Sequence, residues 1–212
     1  IEETLREKGI SIESEASTSR LELSPVSGPL TPVAEILSPP LSKLAEALNH
    51  ESINLYAEHF LKELGKKFRG KGSTEAGIDV IYEFLRNSGI SIKGMFIEDG
   101  SGLSPMNSVN AAAMTRLLVY MKNSSGNFAE FYNSLPEAGK EGTLRNYFRD
   151  PVFESRLFAK SGSMTRVRSY SGYLQTLKGN TIAFTIIVNN YSGPSRTLIV
   201  AIENILKDLL SY

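Results

Sequence analysis

Thr181-Ile182-Ala183-Phe184-Thr185-Ile186-Ile187-Val188-Asn189-Asn190 is the stretch that decides the architecture. Residues 182–188 are almost wholly apolar, the pattern of a strand covered on both faces and central in its sheet. Lys178-Gly179-Asn180 just before it supplies turn residues, and Val167–Leu177 before that reads as a second strand, so the two should pair as an antiparallel hairpin. Leu157–Ser163 is a third strand candidate. Helices must cover such a sheet, and Leu198, Ile202, Ile205 and Leu209 give the closing segment one apolar stripe. The expected fold class is α/β of the α+β type, an antiparallel sheet with helices on both faces.

Upstream, helical spacing dominates. Leu41, Leu44, Ala45 and Leu48 mark one helix, and Ile53–Phe68 a second with Leu55, Phe60, Leu61 and Leu64 inward. Ile78, Ile81, Tyr82 and Leu85 stripe a third, stopped by Gly89. Ser108–Lys122 is a fourth, with Ser108 as its expected cap, and shorter helices are expected near Phe128–Leu135 and Thr143–Phe148. Val33–Leu37 reads as a short strand halted by Pro39-Pro40, and Met95-Phe96-Ile97 as a brief strand entering the glycine-rich loop Asp99–Ser104. Ser11–Pro32 reads as loop or weak edge strands. Glu2–Lys8 has the composition of a helix stopped by Gly9 but no beginning, so it is either the continuation of a longer polypeptide or a short N-terminal helix.

Composition narrows the function. The 212 residues suffice for one domain with a real core. Lys plus Arg and Asp plus Glu both number 23, so no net field favours nucleic acid or an anionic bilayer. No apolar run approaches the roughly 20 residues that span a membrane, and no signal-peptide plan is present at Ile1. With no cysteine there is no disulfide, thiolate metal site or thiol nucleophile. His50 and His59 are the only histidines, which leaves no His-rich metal site, and no Gly-x-Ser-x-Gly elbow exists. Gly65, Gly70 and Lys71 mimic a phosphate loop, but Gly72 stands where a magnesium-binding hydroxyl belongs and a helix precedes it.

Lys160-Ser161-Gly162-Ser163 places an ammonium, hydroxyls and a backbone edge without Cβ on one strand, a set suited to gripping a carboxylate-ended peptide. Ser-x-Asn occurs three times, at Ser52-Asn54, Ser108-Asn110 and Ser125-Asn127. Taken in order, Ser52-Ile53-Asn54-Leu55-Tyr56-Ala57-Glu58, Asp99-Gly100-Ser101-Gly102-Leu103-Ser104 with Asn107, and Lys160–Ser163 with Ser171-Gly172-Tyr173 resemble the landmarks of one family. That family is the D-alanyl-D-alanine carboxypeptidase/endopeptidases, the class C low-molecular-mass penicillin-binding proteins. The likeness runs from about Leu5 to the C-terminus. Ser52 is preferred over Ser108, a helix cap, and Ser125, a turn, because Leu-Tyr-Ala-Glu follows it.

The resemblance implies the penicillin-binding and serine β-lactamase transpeptidase fold, and acyl transfer through a serine ester with no cofactor or metal. Lys160 would attract the carboxylate of D-Ala-D-Ala or of a β-lactam, and Ser161, where the family more often has Thr, would donate a second hydrogen bond. Gly162 would let substrate backbone approach, and the Ser163 amide would be one oxyanion donor. Ser52 would relay the proton to the leaving D-Ala, and Asn54 would orient the acyl-side amide. Asp99–Ser104 reads as a structural turn whose side chains bond neighbouring amides.

One departure stands out: none of the twelve lysines has Ser three positions before it, so the family's Ser-x-x-Lys nucleophile is missing. The simplest account is the C-terminal part of such an enzyme, inactive alone, lacking the two N-terminal strands of the sheet. Its open edge would then be filled by the rest of the protein or by a second chain. The alternative is a non-catalytic peptidoglycan-binding or scaffolding domain of the same fold, with a β-lactamase as a third option. Peptidoglycan as substrate implies a periplasmic or extracytoplasmic setting.

Overall fold

The computed structural model describes residues 2–13, 17 and 34–212. It divides into two compact units, Ile1–Ser38 and Pro39–Tyr212. In the first, α1 spans Glu2–Glu7 and Gly9 follows at φ +74°, the left-handed stop that glycine supplies without a Cβ clash. Most of Ser11–Pro32 lies outside the described residues, as does Val33. Ala34–Leu37, the described part of the strand expected there, is irregular. Apolar residues make a strand only where a ladder partner takes up their backbone groups.

The second unit runs α2 (Leu41–Glu51), α3 (Asn54–Arg69), α4 (Thr74–Asn87), α5 (Ala111–Ser124), α6 (Phe128–Asn133), β1 (Leu157–Met164), β2 (Val167–Gln175), β3 (Thr181–Asn189) and α7 (Ser195–Leu209). Caps set several boundaries. Ser73 Oγ accepts the Ala76 amide to open α4, and Asn110 Oδ1 accepts the Ala113 amide at 2.7 Å to open α5. Asn110, not Ser108, is therefore the α5 cap. Ser108 instead pairs its backbone with Phe96 and donates its hydroxyl to the Gly94 carbonyl. That single bridge is all that forms of the strand expected at Met95–Ile97. Leu55, expected inward, is exposed on α3, whose buried face centres on Leu61 and Gly65.

The three strands form one antiparallel sheet in the order β1-β2-β3, with Ser161 opposite Tyr170, Lys160 opposite Ser171 and Gly172 opposite Phe184. Among the described residues β2 is central and β3 lies at an edge, which corrects the position expected for Ile182–Val188. Its apolar run follows from cover on both faces. On one face Leu157, Tyr170, Leu174 and Phe184 pack with Ile202 and Leu206 of α7 and with Leu144, Phe148 and Phe153. On the other, Tyr173 and Phe158 meet Leu118 of α5 and Phe131 and Tyr132 of α6. Each wholly buried side chain such as Leu157 or Leu206 contributes roughly 1.5–3 kcal/mol of transfer free energy. The Tyr173 hydroxyl keeps its buried polar end satisfied by donating to the Leu118 carbonyl at 2.7 Å.

Between α6 and β1 the chain makes two short 3₁₀ turns, Gly142–Leu144 and Pro151–Phe153, where a helix over Thr143–Phe148 was expected. Gly142 at φ +46° and Phe148 at φ +55° are incompatible with a continuous right-handed helix. Leu144 and Phe148 are buried in the core all the same.

Candidate active site

Ser52 stands between two helices. It ends α2 in the left-handed region at φ 54°, ψ 50°, and α3 starts two residues later at Asn54. A serine held there costs on the order of 1 kcal/mol, a strain that concentrates at functional positions. It is not an N-cap, because Ile53 occupies that place on α3 and makes no side-chain cap. Its hydroxyl is taken instead by a residue 108 positions away: Lys160 Nζ donates to Ser52 Oγ at 2.9 Å and to the Ser161 carbonyl at 2.6 Å.

Lys160 has no carboxylate partner among the described residues. Burial pushes its ammonium below the usual lysine range. An ammonium that is partly desolvated and lacks a counter-ion is an anion site in waiting, and a lysine with a lowered pKa gives up its proton more readily than a free one.

The outer edge of β1 changes character along its length. At its start the Ala138 amide bonds to the Leu157 carbonyl at 2.9 Å, and the Ala159 amide to the Pro136 carbonyl at 3.2 Å. Backbone groups alternate in direction along a strand, so the amides of Ser161 and Ser163 point the same way as that of Ala159. No carbonyl among the described residues accepts them. A closed edge at 157–159 thus becomes an open one at 161–163, with Lys160 Nζ held against the outward Ser161 carbonyl.

Successive side chains leave β1 on opposite faces. Lys160 reaches Ser52 from one, while on the other Ser161 Oγ donates to Thr143 Oγ1 at 2.7 Å. Gly162 shares a face with Lys160, and a Cβ there would come within 2.5 Å of Ser169 Oγ, so its glycine is set first by the neighbouring strand. Ser163 is exposed. Asn54, in the first turn of α3, is also exposed, and its amide has no partner among the described residues. Ser52, Lys160 and Ser161 are therefore linked by hydrogen bonds, with Asn54 and Ser163 beside them in sequence and free to meet a ligand. Nothing in the sequence singles out Thr143, whose contact lies 18 positions along the chain and follows no local pattern.

The loop Asp99–Ser104 braces the same helix. Asp99 accepts the amides of Gly102 and Ser104 at 2.6 and 2.7 Å and the Asn107 side-chain amide at 2.9 Å, the turn chemistry expected of it. Glu58, one turn beyond Asn54, accepts the amides of Gly100 and Ser101. A Cβ on Gly100 would stand 2.5 Å from the Ala57 carbonyl, so the loop lies directly against α3. Burial raises both carboxyls, but the hydrogen bonds outweigh it and hold Glu58 and Asp99 below their usual range.

The chain belongs to the D-Ala-D-Ala carboxypeptidase 3 (S13) family, which it matches over residues 1–208. A D-alanyl-D-alanine carboxypeptidase of Actinomadura sp. (strain R39) is 34% identical over 169 residues, covering 77% of this chain and 31% of the relative. The crystal structure of penicillin binding protein 4 (dacB) from Haemophilus influenzae superposes with a TM-score of 0.87 at 25% identity, over 100% of this chain and 48% of that one. A class A β-lactamase from Bacteroides cellulosilyticus shares the fold at a TM-score of 0.62 and 16% identity, over 80% of this chain and 63% of that one. The expected α+β architecture of the penicillin-binding type is thereby established. The chain spans 31–40% of the length of the first three curated relatives it matches.

Proposed function

We propose that this chain supplies the carboxylate grip and the proton relay of a serine-type D-Ala-D-Ala carboxypeptidase or endopeptidase acting on peptidoglycan stem peptides. The observation that carries the reading is the contact between Lys160 Nζ and Ser52 Oγ beside an open β-edge, with no acidic partner for the lysine among the described residues. A peptide ending in D-Ala-D-Ala lies along residues 161–163, its carboxylate attracted by Lys160 and hydrogen-bonded by Ser161. The Ser163 amide faces the carbonyl oxygen on which negative charge develops. Asn54 orients the amide on the acyl side.

The attacking serine comes from residues outside these 212, since Ser-x-x-Lys is absent from them. Its hydroxyl adds to the scissile carbonyl and gives up its proton to the relay, the peptide bond breaks, and that proton reaches the departing D-Ala amine through Ser52. The Lys160 ammonium, hydrogen-bonded to the Ser52 hydroxyl, orients it and keeps its own charge for the carboxylate. Water then hydrolyses the ester. A β-lactam presents the same carboxylate and acylates the same serine without a departing amine; the Haemophilus influenzae relative was crystallised with one bound. The substrate places the protein outside the cytoplasm.

Labelling of the full-length protein with a fluorescent penicillin tests the reading. A covalent adduct that forms far more slowly in Lys160→Met and Ser52→Ala is expected. No adduct in folded wild-type protein overturns the acyl-enzyme mechanism and leaves a non-catalytic peptidoglycan-binding domain, which the same grip also serves.

A further inference from the structure

The 3₁₀ turn Gly142–Leu144 touches both halves of the candidate site. On one side Gly142 packs so closely on α2 that a Cβ would stand 2.4 Å from the His50 carbonyl, two residues before Ser52. On the other, Thr143 Oγ1 meets Ser161 Oγ. Buried Leu144 anchors the turn in the core, and its carbonyl accepts the Gly139 amide at 3.1 Å. The turn is therefore a fixed reference against which Ser161 is held.

Ser161 needs one. A serine lacks the second heavy atom on Cβ that restricts χ1 in threonine, so its hydroxyl samples all three staggered wells unless something selects among them. A carboxylate is an acceptor only, and a hydroxyl has a single proton to give it while retaining two acceptor sites. In the structure that proton goes to Thr143. If the pair exchanges roles, Thr143 donates to Ser161 and Ser161 turns its own proton to the carboxylate. The oxygen–oxygen contact survives, and each donor strengthens the next.

We propose that Thr143 is a positioning residue for carboxylate recognition, holding the Ser161 hydroxyl in one rotamer and exchanging donor and acceptor roles with it when the ligand arrives. The inference rests on the reading that Lys160 and Ser161 take a substrate carboxylate. It adds a residue that never touches the ligand and yet sets how strongly the ligand's charge is read.

The test uses the full-length protein and two peptides identical except at the C-terminus, one ending in D-Ala carboxylate and the other in D-Ala carboxamide. The readout is the ratio of their kcat/KM values, or of their affinities where no turnover occurs, together with the thermal midpoint. Thr143→Val keeps the side-chain shape without the hydroxyl and should lower the carboxylate preference about tenfold, the scale of a hydrogen bond to a charged group. Thr143→Ser should retain the preference. Ser161→Thr should restore it in the Thr143→Val background by restricting the rotamer from within. A folded Thr143→Val with undiminished preference overturns the inference when Ser161→Ala lowers that preference. If Ser161→Ala and Lys160→Met both leave the preference intact, the carboxylate reading itself fails. Should Thr143→Val not fold, Thr143→Ala is read in the same way.

Discussion

Through one carboxylate oxygen, Glu58 accepts the amides of Gly100 and Ser101 at 3.1 and 2.8 Å, fastening α3 to a loop more than forty residues away. The Asp99 carboxylate completes that loop from within, so two acids stand behind the helix that carries Asn54. Both are held below their ordinary pKa by hydrogen bonds that outweigh burial.

The sign of the acid response follows. A carboxyl whose folded pKa is depressed lends stability that is present above the unfolded value and is lost as pH falls through the folded one, so the loss begins near pH 4 and grows below it. Asp99→Asn should lower stability at pH 7 and flatten the acid limb. Thermal midpoints measured from pH 7 to pH 3 check this, and equal slopes for variant and parent contradict it.

Lys160 should behave in the opposite sense to a structural cation. Replacing a desolvated charge without a counter-ion by an apolar side chain of similar length removes a penalty, so Lys160→Met should leave stability unchanged or raise it while penicillin labelling falls by orders of magnitude. Because burial lowers its folded pKa, the folded state releases the proton first, and stability should rise with pH from the folded pKa up to the unfolded value near 10.4. Denaturant midpoints at pH 7 and pH 10 should differ by less in Lys160→Met than in the parent.

Ser52→Gly separates strain from function. Glycine occupies φ 54° without the Cβ penalty, so the variant should gain on the order of 1 kcal/mol, and about 2–4 °C in thermal midpoint for a chain of this size. Acylation of the full-length protein should fall roughly 10²-fold or more with the hydroxyl gone. A variant that is both less stable and fully active contradicts both halves of the argument.

Tyr173→Phe should cost about 1 kcal/mol, because the Leu118 carbonyl loses its buried donor. Burial, with a smaller contribution from neighbouring Tyr132, pushes the Tyr173 hydroxyl up to about 12. A raised folded pKa means stability is complete below the unfolded value and declines as pH climbs from there through about 12. Alkaline difference spectra should show the step titrating last disappear in the variant.

The three strands were legible because turn residues at Lys178-Gly179-Asn180 separate two runs of β-prone composition. The place of β3 at an edge among the described residues was not legible in its composition, because hydrophobicity reports how many faces are covered and says nothing of how many neighbours share hydrogen bonds. Ser108 and Asn110 are both good caps, and only the helix start at Ala111 decides between them. The helix expected over Thr143–Phe148 failed at Gly142 and Phe148, whose positive φ answers to tertiary packing rather than to periodicity. Ser52 and Lys160 could be proposed together through family likeness alone, since no local pattern spans 108 positions. Thr143 had neither pattern nor likeness to announce it.

The amides that point outward at 161 and 163 belong to the main chain, and this has an evolutionary consequence. Almost any residue placed at either position keeps the donor, and proline alone deletes it. Where the Ser163 amide serves as the proposed oxyanion donor, drift at these sites can retune affinity and rate, but loss of that donor demands proline at the position itself.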